Sequence, residues 1–259
     1  MSQLRVRKRF GQHFLVDDFV IDDIIALIAP REDEHLVEIG PGCGALTALL
    51  HNRVARLSVI EIDRDLAASI NERYGKQANF DLLLGDALKV DYGALQSKQK
   101  LRVVGNLPYN ISTPLILKLI EFSVNIEDMT FMLQKEVVDR LVATPNSKDY
   151  GRLSIMVQSQ ADVSSYFEVG PTAFDPPPKV TSKLVRIAPQ GRRLTPAGLQ
   201  HLAQCTRIAF GQRRKTLRNT LGKKFSHDLL EDCGIDMARR AEEISVDTFC
   251  TLAQTLSDS

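Results

Sequence analysis

From about residue 36 to residue 134 the chain switches repeatedly between two hydrophobic periods. The runs LVEIG (36–40), LSVIEID (57–63), FDLLLGD (80–86), LRVVGN (101–106) and MTFMLQ (129–134) are largely apolar and of strand length. The stretches ALTALLHNR (45–53), RDLAASINERY (64–74) and TPLILKLIEF (113–122) between them read as helices. Short buried strands alternating with helices predict a mostly parallel sheet covered on both faces, with right-handed crossovers. After a helical segment near 135–160 come two extended runs, ADVSSYFEV (161–169) and TSKLVRIA (181–188), joined by the proline-rich GPTAFDPPPKV. So short a connection predicts an antiparallel pair at the sheet edge.

After Pro189 the pattern changes. LTPAGLQHLAQCTRIAF, KTLRNTLGKKF, SHDLLEDCG and AEEISVDTFCTLAQTL all read as helices separated by turn signals. QGRR (190–193) suits a linker, which predicts an α/β domain over 1–189 and a small all-helical domain over 190–259.

At 259 residues, 44% hydrophobic and 25% charged, the chain can bury an ordinary globular core. Its net charge of +1 hides two basic clusters. RVRKR (5–9) carries four basic groups and no acid, and the stretch from Arg207 to Lys224 holds seven Lys/Arg and no Asp/Glu. Cys43, Cys205, Cys233 and Cys250 form no C-x-x-C pair and have no histidines at ligand spacing, so reduced thiols and no metal are expected. No apolar core of about 7–15 residues follows the basic N-terminus, and no run of about 18 apolar residues occurs. A cytoplasmic location is the expectation, with no membrane contact and a monomer as the default state.

The first strand runs into Glu38-Ile39-Gly40-Pro41-Gly42-Cys43-Gly44. Glycines there let the backbone turn sharply and approach a ligand, and the helix after them offers free N–H groups. Glu61 ends the second strand, 61 − 40 = 21 residues after Gly40, where a carboxylate can accept from both ribose hydroxyls of a nucleoside. Gly40-x-Gly42-x-x-Ala45 satisfies the dinucleotide fingerprint equally well, so NAD, S-adenosylmethionine and a ligand-free turn all stay open on these residues. Glu38 favours a cationic ligand, since it would repel a pyrophosphate. Asp86, after Gly85 and before Ala87, can accept from an adenine amine; a helix N-cap is its plain alternative.

The fourth strand continues into Asn106-Leu107-Pro108-Tyr109-Asn110, and this segment favours methyl transfer to adenine. The lone pair of adenine N6 is delocalised into the ring. The Asn106 side-chain oxygen and the Leu107 backbone carbonyl, side by side, can each accept one N6–H and favour a pyramidal nitrogen. Pro108 stiffens the loop, and Tyr109 offers a face for an adenine extruded from its stack. Positioning and a neutral acceptor pair would carry the rate without a strong base.

These motifs resemble the KsgA type of ribosomal RNA adenine dimethyltransferases, related to the erythromycin-resistance methyltransferases. The resemblance is near full length. It takes in KRFGQHFL (8–15), the glycine loop, Glu61, Asp86, Asn106 to Tyr109, MLQKEVVDRL (132–141), YGRLSIM (150–156), AFDPPPKVTSKLVR (173–186) and FGQRRKTLRNTL (210–221). It implies a Rossmann-like S-adenosylmethionine-dependent methyltransferase sheet with a helical RNA-binding domain behind it. It also implies that Gln12, His13 and Leu15 close over the methionine end of the cofactor. Gly40 and Gly42 would then face the methionine moiety and Glu61 the ribose; Asp86 and Ala87 would face the adenine, with Ile62 packed on it, and Asn106 would also contact the cofactor. Many relatives carry Asn at the position of His13, so the resemblance implies a backbone contact there rather than a side-chain one. Phe174 would flank the target base opposite Tyr109. The implied substrate is a pair of adjacent adenosines in the 3′-terminal hairpin of small-subunit ribosomal RNA, within an immature small subunit, each receiving two methyls.

Arg207, Arg213, Arg214, Lys215, Arg218, Lys223 and Lys224 are the expected phosphate contacts, on a stretch that reads as helical. A solvated helix face is the plain alternative. Three other functions compete. A nicotinamide oxidoreductase would need a hydride-transfer site, and no Tyr-x-x-x-Lys or His/Asp pair suggests one. A ribosome-assembly factor that only binds RNA would not need Asn106 to Tyr109. DNA adenine methyltransferases commonly carry an acid at the position of Asn106.

Overall fold

The structure is a computed structural model that describes residues 12–96, 99–191, 194–212 and 214–258. The RVRKR cluster, the first part of KRFGQHFL, Arg192, Arg193 and Arg213 lie outside them. The described residues fall into two compact units, Met1–Val138 with Ser164–Pro189, and Asp139–Val163 with Gln190–Ser259. One break thus falls after Pro189. The segment Asp139–Val163, assigned by sequence to the first domain, packs instead with the second unit. The reason is apolar burial: Ala143, Tyr150 and Ile155 share a core with Leu202, Leu217, Leu230 and Phe249.

The chain runs β1 (Phe14–Leu15), α1 (Asp18–Ile28), β2 (His35–Ile39), α2 (Thr47–Leu50), β3 (Arg56–Glu61), α3 (Arg64–Tyr74), β4 (Phe80–Leu84), α4 (Tyr92–Leu95), β5 (Leu101–Asn106), α5 (Ser112–Glu121) and β6 (Ile126–Gln134). It continues through α6 (Lys135–Leu141), α7 (Arg152–Gln158), β7 (Ala161–Val169), β8 (Phe174–Asp175), β9 (Ser182–Pro189), α8 (Pro196–Phe210), α9 (His227–Asp232) and α10 (Val246–Asp258). The main sheet has the order β4-β3-β2-β5-β6-β9-β7. Strands β4 to β6 pair in parallel; β9 inserts antiparallel to β6, so β7 takes the edge. Strand order reverses between β2 and β5, and in open α/β sheets ligands bind beyond the carboxyl ends of the strands at such a reversal.

Two elements depart from the sequence reading. The helix expected over 45–53 shrinks to the four residues of α2. The basic stretch after α8 is not a continuous helix: it forms two 3-10 turns, Leu217–Asn219 and Leu221–Lys223. The Leu217 and Arg218 N–H groups donate to the carbonyls of Arg239 and Met237, so tertiary pairing takes the donors that a helix would use. Helix α1 has no forecast at all, though Asp17 caps it by accepting from the Phe19 and Val20 N–H groups.

At the amino ends of the strands, Arg102 is 3% exposed. It pairs with Asp128 at 2.9 Å and Glu34 at 2.9 Å, and donates to the carbonyls of Ile28 and Ala29. Arg186 closes the network on Asp128. Burial would lower the Arg102 pKa, but the hydrogen bonds and charges of Asp128 and Glu34 outweigh it and raise it. Removing one partner leaves buried charge uncompensated. Asp128→Ala should therefore lose about 3–5 kcal/mol, read as a lower urea midpoint with an unchanged slope.

Candidate active site

At the carboxyl ends of β2, β3, β4 and β5 lies one cavity of about 360 Å³. Each strand end contributes the residue the sequence singled out. Ile39 runs into Gly40 and Gly42, which adopt φ of +67° and +58°. A Cβ on Gly42 would sit 2.9 Å from Phe14 Cδ1, so the turn and β1 can approach only at a glycine. Gly105 is tighter still: a Cβ there would sit 2.4 Å from the Ile39 carbonyl oxygen. Sequence reading passed over Gly105, because a lone glycine inside an apolar strand has no local signature of the backbone packed against it.

Glu38 is buried on β2 and accepts from the Thr47 hydroxyl at 2.7 Å. Burial pushes its pKa up to about 7, opposed by that hydrogen bond and assisted by the charge of Glu61. Burial also raises the Glu61 pKa, while backbone N–H groups of Asp63, Ile62 and Gly42 pull it down. Asp86 accepts from the Leu88 N–H at 2.9 Å through Oδ1, which realises the N-cap alternative. A carboxylate has a second oxygen, so capping and ligand contact are compatible. Glu61, Asp86 and Ala87 all line the cavity. Ile62 lines it too, and is 48% exposed although apolar.

The N-terminal strap forms another wall, with Gln12, His13, Phe14 and Leu15 lining the cavity. Gln12 Nε2 donates to Asp63 at 3.3 Å. The fourth wall is Asn106, Leu107, Pro108 and Tyr109. Asn106 Nδ2 donates to the His13 carbonyl at 3.1 Å, which turns Oδ1 to the opposite side of the amide. Leu107 is anchored by its N–H on the Met132 carbonyl. Burial raises the Tyr109 pKa, and the phenol remains neutral at physiological pH.

Phe174 is the exception. It does not line the cavity and is 4% exposed. Its strand pairs Leu15 with Phe174, and the ring packs in the core with Leu15, Val169 and Leu184. The expectation that it flanks a base gives way to a core aromatic, because burying the ring there removes its apolar surface from water. In the second unit, Arg207, Arg214, Lys215, Arg218, Lys223 and Lys224 are all exposed.

Residues 3–258 match the model of one family, described as ribosomal RNA adenine dimethylase. The chain belongs to that family. A Cronobacter sakazakii protein named ribosomal RNA small subunit methyltransferase A is 52% identical, over 98% of this chain and 94% of its own. The Salmonella typhimurium protein of the same name is 50% identical over the same shares. Among solved structures, a dimethyladenosine transferase from Plasmodium falciparum superposes with a TM-score of 0.79 at 28% identity, covering 93% of this chain and 96% of that one. The 23S rRNA methyltransferase ErmE gives 0.69 at 24% identity, covering 95% and 100%, a likeness of fold.

The chain is thus a methyltransferase enzyme, and its methyl donor is S-adenosylmethionine. The cavity suits that group: two buried carboxylates favour a cation, and an exposed isoleucine offers an apolar surface for a nucleobase. No helix among the described residues is long and apolar enough to cross a membrane, and no metal-holding cluster of His, Cys, Asp or Glu occurs among them.

The raised Glu38 pKa has a defined sign. Between 4.5 and about 7 the folded chain holds a proton that the unfolded chain has released. The stability this contributes is complete at acid pH and lost as pH rises through the folded value. Glu38→Gln carries no titrating proton there. Denaturant unfolding from about pH 5 to about pH 8 should move the stability difference in the variant's favour, by about 1–3 kcal/mol. A pH-independent difference would refute the assignment.

Proposed function

We propose that this protein transfers two methyl groups to N6 of each of two adjacent adenosines in the 3′-terminal hairpin of small-subunit ribosomal RNA, acting in the cytoplasm on an immature small subunit. The observation that carries the reading is the Asn106 amide, held through its nitrogen by the His13 carbonyl at the wall of the strand-end cavity. An amide oriented by its N–H in that sense has its Oδ1 to accept from an incoming amino group. Its partner is the Leu107 carbonyl. Together they would bind both N6 hydrogens and favour the pyramidal nitrogen that exposes a lone pair. Tyr109 would stack the base, and the closed wall would exclude water. A monomethylated N6 keeps its lone pair and one hydrogen, so the same pocket can act twice.

S-adenosylmethionine supplies a methyl group activated on a positively charged sulfur. Gln12, His13 and Leu15 would cover its methionine end, with Gly40 and Gly42 beneath. Glu61 would accept from its ribose, and Asp86, Ala87 and Ile62 would hold its adenine. The relatives' name, ribosomal RNA small subunit methyltransferase A, supports the choice of RNA.

RNA would be gripped by the exposed cations Arg207, Arg214, Lys215, Arg218, Lys223 and Lys224, with Arg213 of the same stretch lying outside the described residues. Phosphate contacts of this kind position RNA without reading its bases, which leaves specificity to RNA shape and to the pocket.

Two measurements test this. With undermethylated small subunits and radiolabelled donor, the parent should yield dimethyladenosine on nucleoside analysis. Asn106→Ala should lose at least about 100-fold in rate while still binding S-adenosylhomocysteine. Charge reversal of Arg214, Lys215 and Arg218 together should weaken RNA binding at least about tenfold and flatten its salt dependence. Equal loss of S-adenosylhomocysteine affinity would count against an RNA role.

A further inference from the structure

The aromatic ring of Tyr109 is held at two points by residues to which the methyl-transfer reading gives no catalytic part. Its hydroxyl lies 3.0 Å from Ser182 Oγ. Ser182 is fully buried at the first position of β9, in register with Gln134 of β6, so the anchor belongs to the sheet rather than to a loop. The His13 imidazole stacks on the ring, with centroids 5.9 Å apart and planes 28° from parallel. His13 is fixed in turn. Its Nδ1 lies 2.7 Å from the Pro176 carbonyl oxygen, which can only accept, so the proton sits on Nδ1. The strap carrying His13 is clamped by pairing of Phe14 with Asp175 and Leu15 with Phe174, and by the Val16 N–H on the Ala173 carbonyl.

One residue therefore touches both halves of the Asn106–Tyr109 wall. The His13 backbone carbonyl orients the Asn106 amide, and its side chain packs on the Tyr109 ring. We propose that His13 and Ser182 are positioning residues for methyl transfer, which lock the stacking ring and the acceptor amide into a single arrangement before the base arrives. The proposal rests on the reading of Tyr109 as the base platform. A tyrosine secured at its hydroxyl and along one face keeps neither side-chain torsion free. An adenine stacked on it is then presented to Asn106 at one angle. Displacements of about 1 Å at a reacting atom cost as much as about 100-fold in rate, so loss of either hold should appear in kcat.

The test compares Ser182→Ala, Tyr109→Phe, their double variant, His13→Ala and His13→Asn. For each, kcat and KM are measured on undermethylated small subunits, with S-adenosylhomocysteine affinity and Tm alongside. Tyr109→Phe keeps the ring and removes only the hydroxyl. Ser182→Ala and Tyr109→Phe should each lower kcat about tenfold. The double variant should fall no further than either, with donor affinity and Tm unchanged. His13→Ala should lower kcat at least as much, and His13→Asn, which replaces the imidazole with a planar amide and retains an N–H donor for Pro176, should restore most of it. Independent multiplication of the Ser182 and Tyr109 effects, or a kcat for Ser182→Ala within about twofold of the parent, would overturn the proposal. So would a fall in Tm or donor affinity that parallels the fall in kcat. A parent chain that binds donor but transfers no methyl would sink the functional reading itself and this proposal with it.

Discussion

The close approach of β5 to β2 at Gly105 is the constraint on which the rest depends. Parallel strands sit about 4.8 Å apart, and here the chain leaving β2 crosses directly beside the chain leaving β5. Any side chain at position 105 would occupy the space of the Ile39 carbonyl. Because none is there, two turns of opposite chemical character share one level at the reversal of strand order. The glycine turn after Ile39 presents backbone to a ligand, and the turn after Gly105 presents an amide and an aromatic ring. If the two turns hold donor and acceptor as proposed, this contact would set how near the reacting groups lie.

Charge is distributed to match. The ion network of Arg102, Asp128, Glu34 and Arg186 lies at the amino ends of the strands, where the groups satisfy one another. At the carboxyl ends Glu38 and Glu61 form no ion pair with a basic side chain among the described residues, and burial raises both pKa values. Carboxylates without a cation of their own leave a deficit that a cationic ligand can fill.

Much of this was legible in the chain itself. Strands β2, β3, β5 and β6 announce themselves because strands buried on both faces are largely apolar, and α3 keeps its helical period over its whole length. Gly40, Glu61, Asp86 and Asn106 are visible because each lies at or just beyond the end of a strand. What escaped depends on long-range contacts. Gly105 and Ser182 matter through atoms 66 and 73 residues away, at Ile39 and Tyr109. The family resemblance implied that Phe174 flanks a base, yet pairing with Leu15 turns it into the core. The stretch after α8 has helical composition, but partners at Met237 and Arg239 claim its N–H groups.

The chain passes between its two compact units three times, at residues 138, 163 and 189. A tail appended after residue 189 could be exchanged between relatives as a cassette by a single recombination. This one cannot, since Tyr150 and Ile155 belong to the same core as Leu202 and Phe249. A viable chimaera must graft residues 139–163 together with the tail, so no single crossover after residue 189 can exchange the helical unit.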